Sequence, residues 1–159
     1  MSKGKEMKVI EGNFTNNKFK FAILSTRWND FIVDKLVSGA EDALVRHGIE
    51  SDNITKVICP GAFEVPLTVK KLAESKNYDG IIALGAVIRG ATPHFDYVAS
   101  EVTKGIAQVS LSTGLPISFG VLTTDTIEQA MERAGTKAGN KGYESAITCL
   151  EMCDLIQKI

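Results

Sequence analysis

Short apolar runs alternate along the chain with longer segments whose apolar residues recur every three to four positions. The runs are nearly continuous in apolar residues, which is typical of strands that helices cover on both faces. We therefore predict four strands and, in residues 7–10, an extra strand for pairing with a neighbouring subunit. The four strands are predicted at residues 18–25, 53–59, 79–86 and 116–122.

Five segments with helical periodicity separate or follow these strands. The first helix is predicted to begin after a capping Asn29 and to end at Gly48. Asp125 and Glu128 have the spacing of a capping box at the start of the fourth. The alternation predicts an α/β fold, a parallel sheet with helices on both faces. The helices are predicted at residues 30–47, 64–76, 94–112, 125–134 and 141–157.

The composition is that of an ordinary globular protein. At 159 residues the chain is long enough for one domain, which we assign to residues 1–159. The net charge of −1 gives no reason to expect a nucleic-acid or anionic-membrane partner. Residues 1–6 lack the apolar stretch of a signal peptide, and no apolar run approaches the roughly 20 residues of a membrane span. We therefore expect a cytoplasmic protein.

The three cysteines leave two interpretations open. Cys149 and Cys153 are four residues apart on the last predicted helix, which suits a redox pair or half of a metal site. The alternative is three reduced, buried thiols including Cys59, and the expected reducing compartment favours it. Because no histidine lies near the pair in sequence, we predict no metal site.

The turn after the third strand carries the clearest chemical pattern. A strand runs into Gly90, and a helix opens near His94, so that backbone N–H groups and the positive end of a helix converge. Thr92 adds a hydroxyl group, and His94 adds a proton donor or acceptor for neutral pH. An anion site beside an acid–base group indicates chemistry on a small phosphorylated molecule.

Two aromatic residues follow the other strands, where open parallel sheets bind ligands. Trp28 follows the first strand and Phe63 the second, so both are candidates for stacking on a flat heterocycle or, alternatively, for packing. Glu64 begins a helix, where a carboxylate is favourable anyway, but it is also a candidate acceptor for sugar-like hydroxyls. The basic segment 132–142 is either a solvated loop or a source of cations for a phosphate.

Three motifs together resemble the 6,7-dimethyl-8-ribityllumazine synthase family of riboflavin biosynthesis. They are residues 61–66 (GAFEVP), 85–97 (GAVIRGATPHFDY) and 132–142 (ERAGTKAGNKG), in the family's order and spacing. The resemblance implies a flavodoxin-like three-layer α/β/α sandwich. It also implies the condensation of 5-amino-6-(D-ribitylamino)uracil with L-3,4-dihydroxy-2-butanone 4-phosphate through a Schiff base, with loss of phosphate and water and without a cofactor.

The resemblance assigns roles residue by residue. His94 and Arg133 are the implied catalytic residues, with His94 as proton shuttle, and Gly90, Ala91 and Thr92 are implied to hold the phosphate with Arg133. Glu64 is implied to accept ribityl hydroxyls. The residues implied to contact the pyrimidine or its ribityl chain are Trp28, Asn29, Phe63, Glu64, Val87, Ile88, Phe119 and Lys141.

The resemblance also implies a homo-oligomer. In the family the site lies between two neighbours of a pentamer, so Phe119, Arg133 and Lys141 are implied to serve the site of the adjacent subunit. Residues 135–142 carry no insertion, which favours a 60-subunit shell of pentamers over free pentamers or pentamer pairs. Association with riboflavin synthase is a further expectation.

The chain departs from the family pattern at two positions. Ala86 replaces a threonine of some relatives, and Trp28 replaces the commoner phenylalanine, which leads to the hypothesis that riboflavin binds on the larger indole. A non-catalytic flavin-binding module on the same scaffold is an alternative, but it has no use for His94 together with Arg133. A flavodoxin-like electron carrier needs a glycine-rich turn after the first strand, which residues 26–29 do not provide. A shell whose main task is transport is compatible with catalysis.

Overall fold

The computed structural model describes residues 4–90, 94–135 and 139–159. Within them four strands form one parallel sheet in the order β2-β1-β3-β4, which confirms the predicted α/β architecture. Strand β3 extends two residues beyond its predicted end, so Val87 and Ile88 still pair with β4. The strands are β1 (Phe21–Thr26), β2 (Ile54–Cys59), β3 (Gly80–Ile88) and β4 (Ile117–Thr124).

Helices cover the sheet on both faces and complete three layers. Because side chains alternate between the faces of a strand, Phe21 and Ile23 pack under α1 and α5, whereas Ala22 and Leu24 pack under α2 and α3. Both faces are therefore apolar, which explains the continuous apolar runs in the sequence. The helices are α1 (Asp30–Arg46), α2 (Val65–Ser75), α3 (His94–Thr113), α4 (Ile127–Arg133) and α5 (Lys141–Lys158).

The predicted N-terminal caps of α1 and α4 were wrong, whereas the predicted end of α1 at Gly48 is confirmed. Asn29 precedes α1 but adopts a left-handed conformation (φ 62°), and its side chain makes no capping hydrogen bond within the described residues. The capping box of α4 is formed by Thr126 and Gln129 instead of Asp125 and Glu128. Gly48 follows α1 with φ 87° and donates its N–H to the carbonyl of Val45, which is a typical helix end.

The cysteines are free and buried, in agreement with the thiol interpretation. The thiols of Cys149 and Cys153 donate to the carbonyl oxygens of Ile81 (3.6 Å) and Asp79 (3.3 Å). A hydrogen bond with Cys153, followed by burial, raises the pKa of the Cys149 thiol well above its usual value. Cys149 is therefore protonated at neutral pH and acts as a packing residue where α5 crosses β3.

Two features are absent from residues 4–90, 94–135 and 139–159. They contain no group of three or more His, Cys, Asp or Glu side chains arranged to hold a metal ion. None of the helices formed by these residues has both the length and the apolar character needed to cross a membrane.

The segment before β1 is attached to α5 through a buried carboxylate. Oδ2 of Asp154 accepts the backbone N–H of Asn13 at 2.7 Å and lies 2.6 Å from Nζ of Lys158. Nζ of Lys158 also donates to the carbonyl oxygen of Glu11 at 3.0 Å. The candidate strand at residues 7–10 precedes this attachment, is exposed and pairs with no strand of the described chain. Its pairing with a neighbouring subunit stays a prediction.

The attachment predicts an acid-sensitive contribution to stability. The hydrogen bond from Lys158, followed by that from Asn13, lowers the pKa of Asp154 from 3.8. A carboxylate whose pKa is lowered in the folded state stabilises the fold at pH values above its ordinary pKa. This contribution is lost as the pH falls through the lowered pKa. We expect Asp154→Asn to unfold at a lower temperature than the unmodified chain at neutral pH, and the difference to shrink as the pH falls below 3.8.

Thermal unfolding followed by circular dichroism at several pH values measures this difference. Asp34→Asn, which removes an exposed carboxylate of α1, is the control for the loss of a charge alone. A difference that stays constant from neutral to acid pH would contradict the assignment.

Candidate active site

A cleft of about 240 Å³ opens at the carboxyl ends of β1 and β3, where the sequence predicted a ligand. We call it the Trp28 cleft. Trp28 and Phe63 are 66% and 65% exposed, so neither ring packs in the core of the chain. The cleft is lined by Thr26, Trp28, Asn29, Ala62, Phe63, Ala86, Val87, Ile88, His94, Phe95 and Val98.

Backbone hydrogen bonds hold the turn after β1 against the turn after β2. The N–H of Arg27 donates to the carbonyl of Cys59 at 2.9 Å, and that of Trp28 to the carbonyl of Pro60 at 3.3 Å. Asn29 joins the same turn to β3, because its side-chain amide donates to the carbonyl of Ala86 at 3.2 Å. The indole of Trp28 is therefore carried by a turn fixed to both neighbouring strands.

Gly61 allows the indole to lie directly on the backbone of the second turn. A Cβ atom at Gly61 would lie 2.7 Å from Cε3 of Trp28 and 3.5 Å from Oε1 of Glu64. The half-buried Glu64 thus lies beside the Trp28 cleft without lining it. The aromatic ring and the carboxylate approach the same point, as a ligand with a ring and a polar chain requires.

Cys59 and Thr68 support this second turn from below. The thiol of Cys59 donates to the carbonyl of Gly61 at 3.5 Å, and the hydroxyl of Thr68 donates to the carbonyl of Glu64 at 2.8 Å. Burial, followed by the nearby Glu64 carboxylate, raises the pKa of the Cys59 thiol. Cys59 is therefore a protonated donor that shapes the turn.

The predicted anion turn is described at its two ends. Gly90 adopts a left-handed conformation (φ 55°), which favours glycine. His94 begins α3, is exposed and lines the Trp28 cleft. The predicted phosphate contacts at Ala91 and Thr92 lie outside the described residues.

The remaining predicted residues line a second cleft, of about 460 Å³, along β4. We call it the Arg133 cleft. Arg133 ends α4, Lys141 begins α5, and Phe119 lies within β4. Glu144 also lines this cleft and was not predicted. Its position one turn after Lys141 on the same helix indicates that the two side chains lie close together. The cleft is lined by Phe119, Val121, Leu122, Thr123, Arg133, Lys141 and Glu144.

Asn140 brings the two cationic residues of this cleft together. Its side-chain amide donates to the carbonyls of Lys35 (2.9 Å) and Ala134 (3.0 Å), and its side-chain oxygen accepts the N–H of Tyr143 (3.0 Å). The first two bonds tie the end of α4 to α1, and the third caps α5. The amide of Asn140 therefore joins Ala134, which follows Arg133, to the start of α5.

The two clefts of one chain are separate, and their charges differ. Among the described residues, no side chain lines both clefts, and neither Lys nor Arg lines the Trp28 cleft. The Arg133 cleft has two cations against the single carboxylate of Glu144. The two exposed aromatic rings and His94 thus lie in one cleft, and Arg133 and Lys141 lie in the other.

The contact between Gly61 and Trp28 predicts the effect of one added methyl group. Gly61→Ala places a Cβ atom 2.7 Å from the indole, so the ring must move. Because the indole is exposed and able to rotate, we expect a stability loss smaller than the roughly 1–3 kcal/mol of an overpacked core. Trp28 is the only tryptophan of the chain, so intrinsic fluorescence reports its environment alone.

We expect the emission maximum of Gly61→Ala to shift while the far-ultraviolet circular dichroism stays unchanged. Gly4→Ala, where an added Cβ atom meets nothing within 4 Å, is the control. An unchanged emission spectrum in Gly61→Ala would show that the indole does not rest on Gly61.

Sequence comparison with known proteins gives a family match and two similar relatives. Residues 18–157 match the family model described as 6,7-dimethyl-8-ribityllumazine synthase. A 6,7-dimethyl-8-ribityllumazine synthase of Nitratidesulfovibrio vulgaris is 61% identical over 153 residues, which cover 96% of this chain and 98% of that protein. One of Campylobacter lari is 58% identical over 154 residues, which cover 96% and 99% respectively.

Identity at this level over nearly the full length of both relatives, together with the family match, establishes the relationship. The chain belongs to the 6,7-dimethyl-8-ribityllumazine synthase family.

Proposed function

We propose that this enzyme condenses 5-amino-6-(D-ribitylamino)uracil with L-3,4-dihydroxy-2-butanone 4-phosphate between the Trp28 cleft of one copy and the Arg133 cleft of another. The reaction is that of the family, the step of riboflavin biosynthesis that forms 6,7-dimethyl-8-ribityllumazine. The observation that carries the composite site is the separation of the aromatic platform from the two cations within one chain.

The Trp28 cleft suits the pyrimidine. Trp28 and Phe63 offer exposed ring faces to a flat heterocycle, and such stacking contributes beyond the area it buries. Val87 and Ile88, at the end of β3, offer backbone groups to the polar edge of the ring. The carboxylate of Glu64 and the amide of Asn29 are placed for the hydroxyls of the ribityl chain.

His94 suits the proton transfers of the reaction. The pyrimidine amine attacks the ketone to give a Schiff base with loss of water, and elimination of phosphate then leaves a second carbonyl. Attack of the ribitylamino nitrogen on that carbonyl closes the ring with loss of a second water. Each step moves a proton, and His94 lines the cleft at the start of α3, within reach of a bound pyrimidine. The remaining acceleration comes from holding two reactants in one geometry.

The Arg133 cleft suits the phosphate and the far side of the ring. A guanidinium group binds phosphate through paired, charge-assisted hydrogen bonds, and Gly90, Ala91 and Thr92 supply backbone and hydroxyl donors from the other copy. Phe119, 37% exposed, offers a second aromatic surface, and Lys141 lies beside it for a ring carbonyl.

This arrangement requires an oligomer, for which we propose pentamers assembled into a 60-subunit shell in the cytoplasm. A ring closes when each copy lends its Arg133 cleft to the next copy, which is a heterologous contact. The absence of an insertion between α4 and α5 supports the shell, and Asn140 donates to the carbonyl of Ala134 across this segment. Riboflavin synthase, as the consumer of the product, is the proposed partner enzyme.

Arg133 is expected to act mainly on the phosphorylated substrate. Losing a charge-assisted hydrogen bond of about 1.5–3 kcal/mol should raise the KM for the butanone phosphate roughly 10- to 100-fold. Steady-state kinetics of Arg133→Ala, with each substrate varied in turn, should show little change in the KM for the pyrimidine. Arg46→Ala, which removes an exposed arginine of α1, is the control. Equal losses for both substrates would refute the assignment to phosphate.

A mixture of two defective variants tests the composite site. His94→Ala alone should slow turnover roughly 10- to 100-fold, at the low end for acid–base catalysis, and Arg133→Ala alone should be impaired as above. When equal amounts are unfolded and reassembled together, a cleft with intact His94 meets a neighbour with intact Arg133 in about a quarter of the sites. We therefore expect about a quarter of the unmodified activity to return.

Reassembling each variant by itself is the control for this mixture. Activity equal to the mean of the two separate preparations would place both residues in the site of a single chain and contradict the proposal. Light scattering of the reassembled unmodified protein gives its subunit number, and particles of only five subunits would contradict the shell.

A further inference from the structure

The side chain of Arg89, which directly follows β3, contacts three partners on two other parts of the chain. Its Nε donates to Oδ1 of Asp125 at 2.8 Å, and its Nη2 lies 3.5 Å from Oδ1 of Asp96. Its guanidinium carbon lies 4.7 Å from the centroid of the Phe95 ring. The backbone N–H of Arg89 donates to the carbonyl of Thr124 at 2.8 Å. Arg89 thus joins the end of β3, the start of α3 and the turn after β4.

These contacts span the anion turn. Arg89 immediately precedes Gly90, and Phe95 and Asp96 immediately follow His94, so one guanidinium group connects the two sides of residues 90–94. Phe95, on whose ring the guanidinium rests, also lines the Trp28 cleft. A displacement of Arg89 would therefore reach the proton-transfer residue and the cleft wall together.

Stability alone does not account for this arrangement. The side chains of Arg89, Asp96 and Asp125 are 49%, 67% and 66% exposed, and exposed ion pairs contribute little to the free energy of folding. Geometry is what an arginine adds here. A planar guanidinium has donors in fixed directions and a face that stacks on an aromatic ring, and a lysine ammonium has neither.

We propose that Arg89 is a positioning residue for the condensation, acting through its contacts with Asp125, Asp96 and Phe95 to fix Gly90 relative to His94. Gly90 and His94 then face one bound butanone phosphate in a single geometry. This inference rests on the proposed function, because it needs the phosphate near Gly90 and the acid–base role of His94.

Arg89→Lys is the sharpest test, since it keeps the charge and removes the fork and the stacking face. A displacement of about one ångström at a reacting group can cost 100-fold in rate, so we expect kcat to fall by about 10-fold. The KM for the butanone phosphate should rise and that for the pyrimidine should stay unchanged. Arg46→Lys is the matched control, because Arg46 makes an exposed ion pair with Asp42 on α1.

Asp125→Ala separates positioning from a direct effect of the arginine charge on the substrate. If Arg89 positions the turn, losing its 2.8 Å partner lowers kcat and raises the KM for the butanone phosphate, as Arg89→Lys does. The kcat of the double variant should then be no lower than that of Arg89→Lys alone, because both substitutions break the same interaction between Arg89 and Asp125. If Arg89 instead attracts the phosphate by its charge, removing Asp125 lowers that KM, and the proposal is wrong.

If kcat and both KM values of Arg89→Lys equal those of the unmodified protein, the inference is wrong. Equal rises in the two KM values would also overturn it. If Arg89→Lys does not fold, Asp125→Ala decides the question by itself. Arg133→Ala, measured in parallel, shows which proposal fails. A selective effect of Arg133→Ala without one of Arg89→Lys leaves the proposed function standing and removes this inference. No selective effect of either variant removes the phosphate assignment and this inference with it.

Discussion

The parallel direction of all four strands is the constraint on which the rest of the molecule depends. Thr26 of β1 lies opposite Cys59 of β2, and Ser25 lies opposite Leu84 of β3, so three strands end at one edge of the sheet. The turns after β1 and β2 carry the indole of Trp28 and the ring of Phe63, and β3 leads to Gly90. Residues far apart in sequence become one cleft because their strands are aligned, in keeping with ligand sites of open parallel sheets.

Side-chain amides then fix what the sheet brings together. Asn29 bonds the carbonyl of Ala86, and Asn140 bonds those of Lys35 and Ala134, so each amide holds a functional turn against a neighbouring element. Loops lack the repeating hydrogen bonds of helices and strands, so side chains must satisfy their backbone groups. The turn after β1, the end of α4 and the start of α5 are thereby held in place before any substrate binds, which favours catalysis by positioning.

Periodicity predicted the elements and the sheet type from the sequence, but choices that depend on long-range contacts were not predictable. The spacing of Asp125 and Glu128 predicted the capping box of α4, whereas in the structure Asp125 pairs with Arg89 and Thr126 is the cap. Asn29 was predicted to cap α1 because asparagine is common at that position. Its left-handed backbone and its hydrogen bond to β3 depend on the fold and are not visible in the local sequence. The motifs identified residues that line the clefts. The contact between Arg89 and Asp125 could not be predicted in this way, because the two residues are 36 positions apart and only the fold brings them together.

The separation of charge from aromatic surface gives the proposed oligomer a physical reason. A phosphate dianion buried among Trp28, Phe63 and His94 would lack a fixed cation, and burying an unpaired charge is costly. Arg133 and Lys141 lie in the other cleft of the same chain, where the only aromatic lining residue described is Phe119. Either cleft alone lacks what one of the two substrates needs. Joining them across two copies supplies a ring stack and a charge partner together, and it covers aromatic surface that a lone chain leaves exposed.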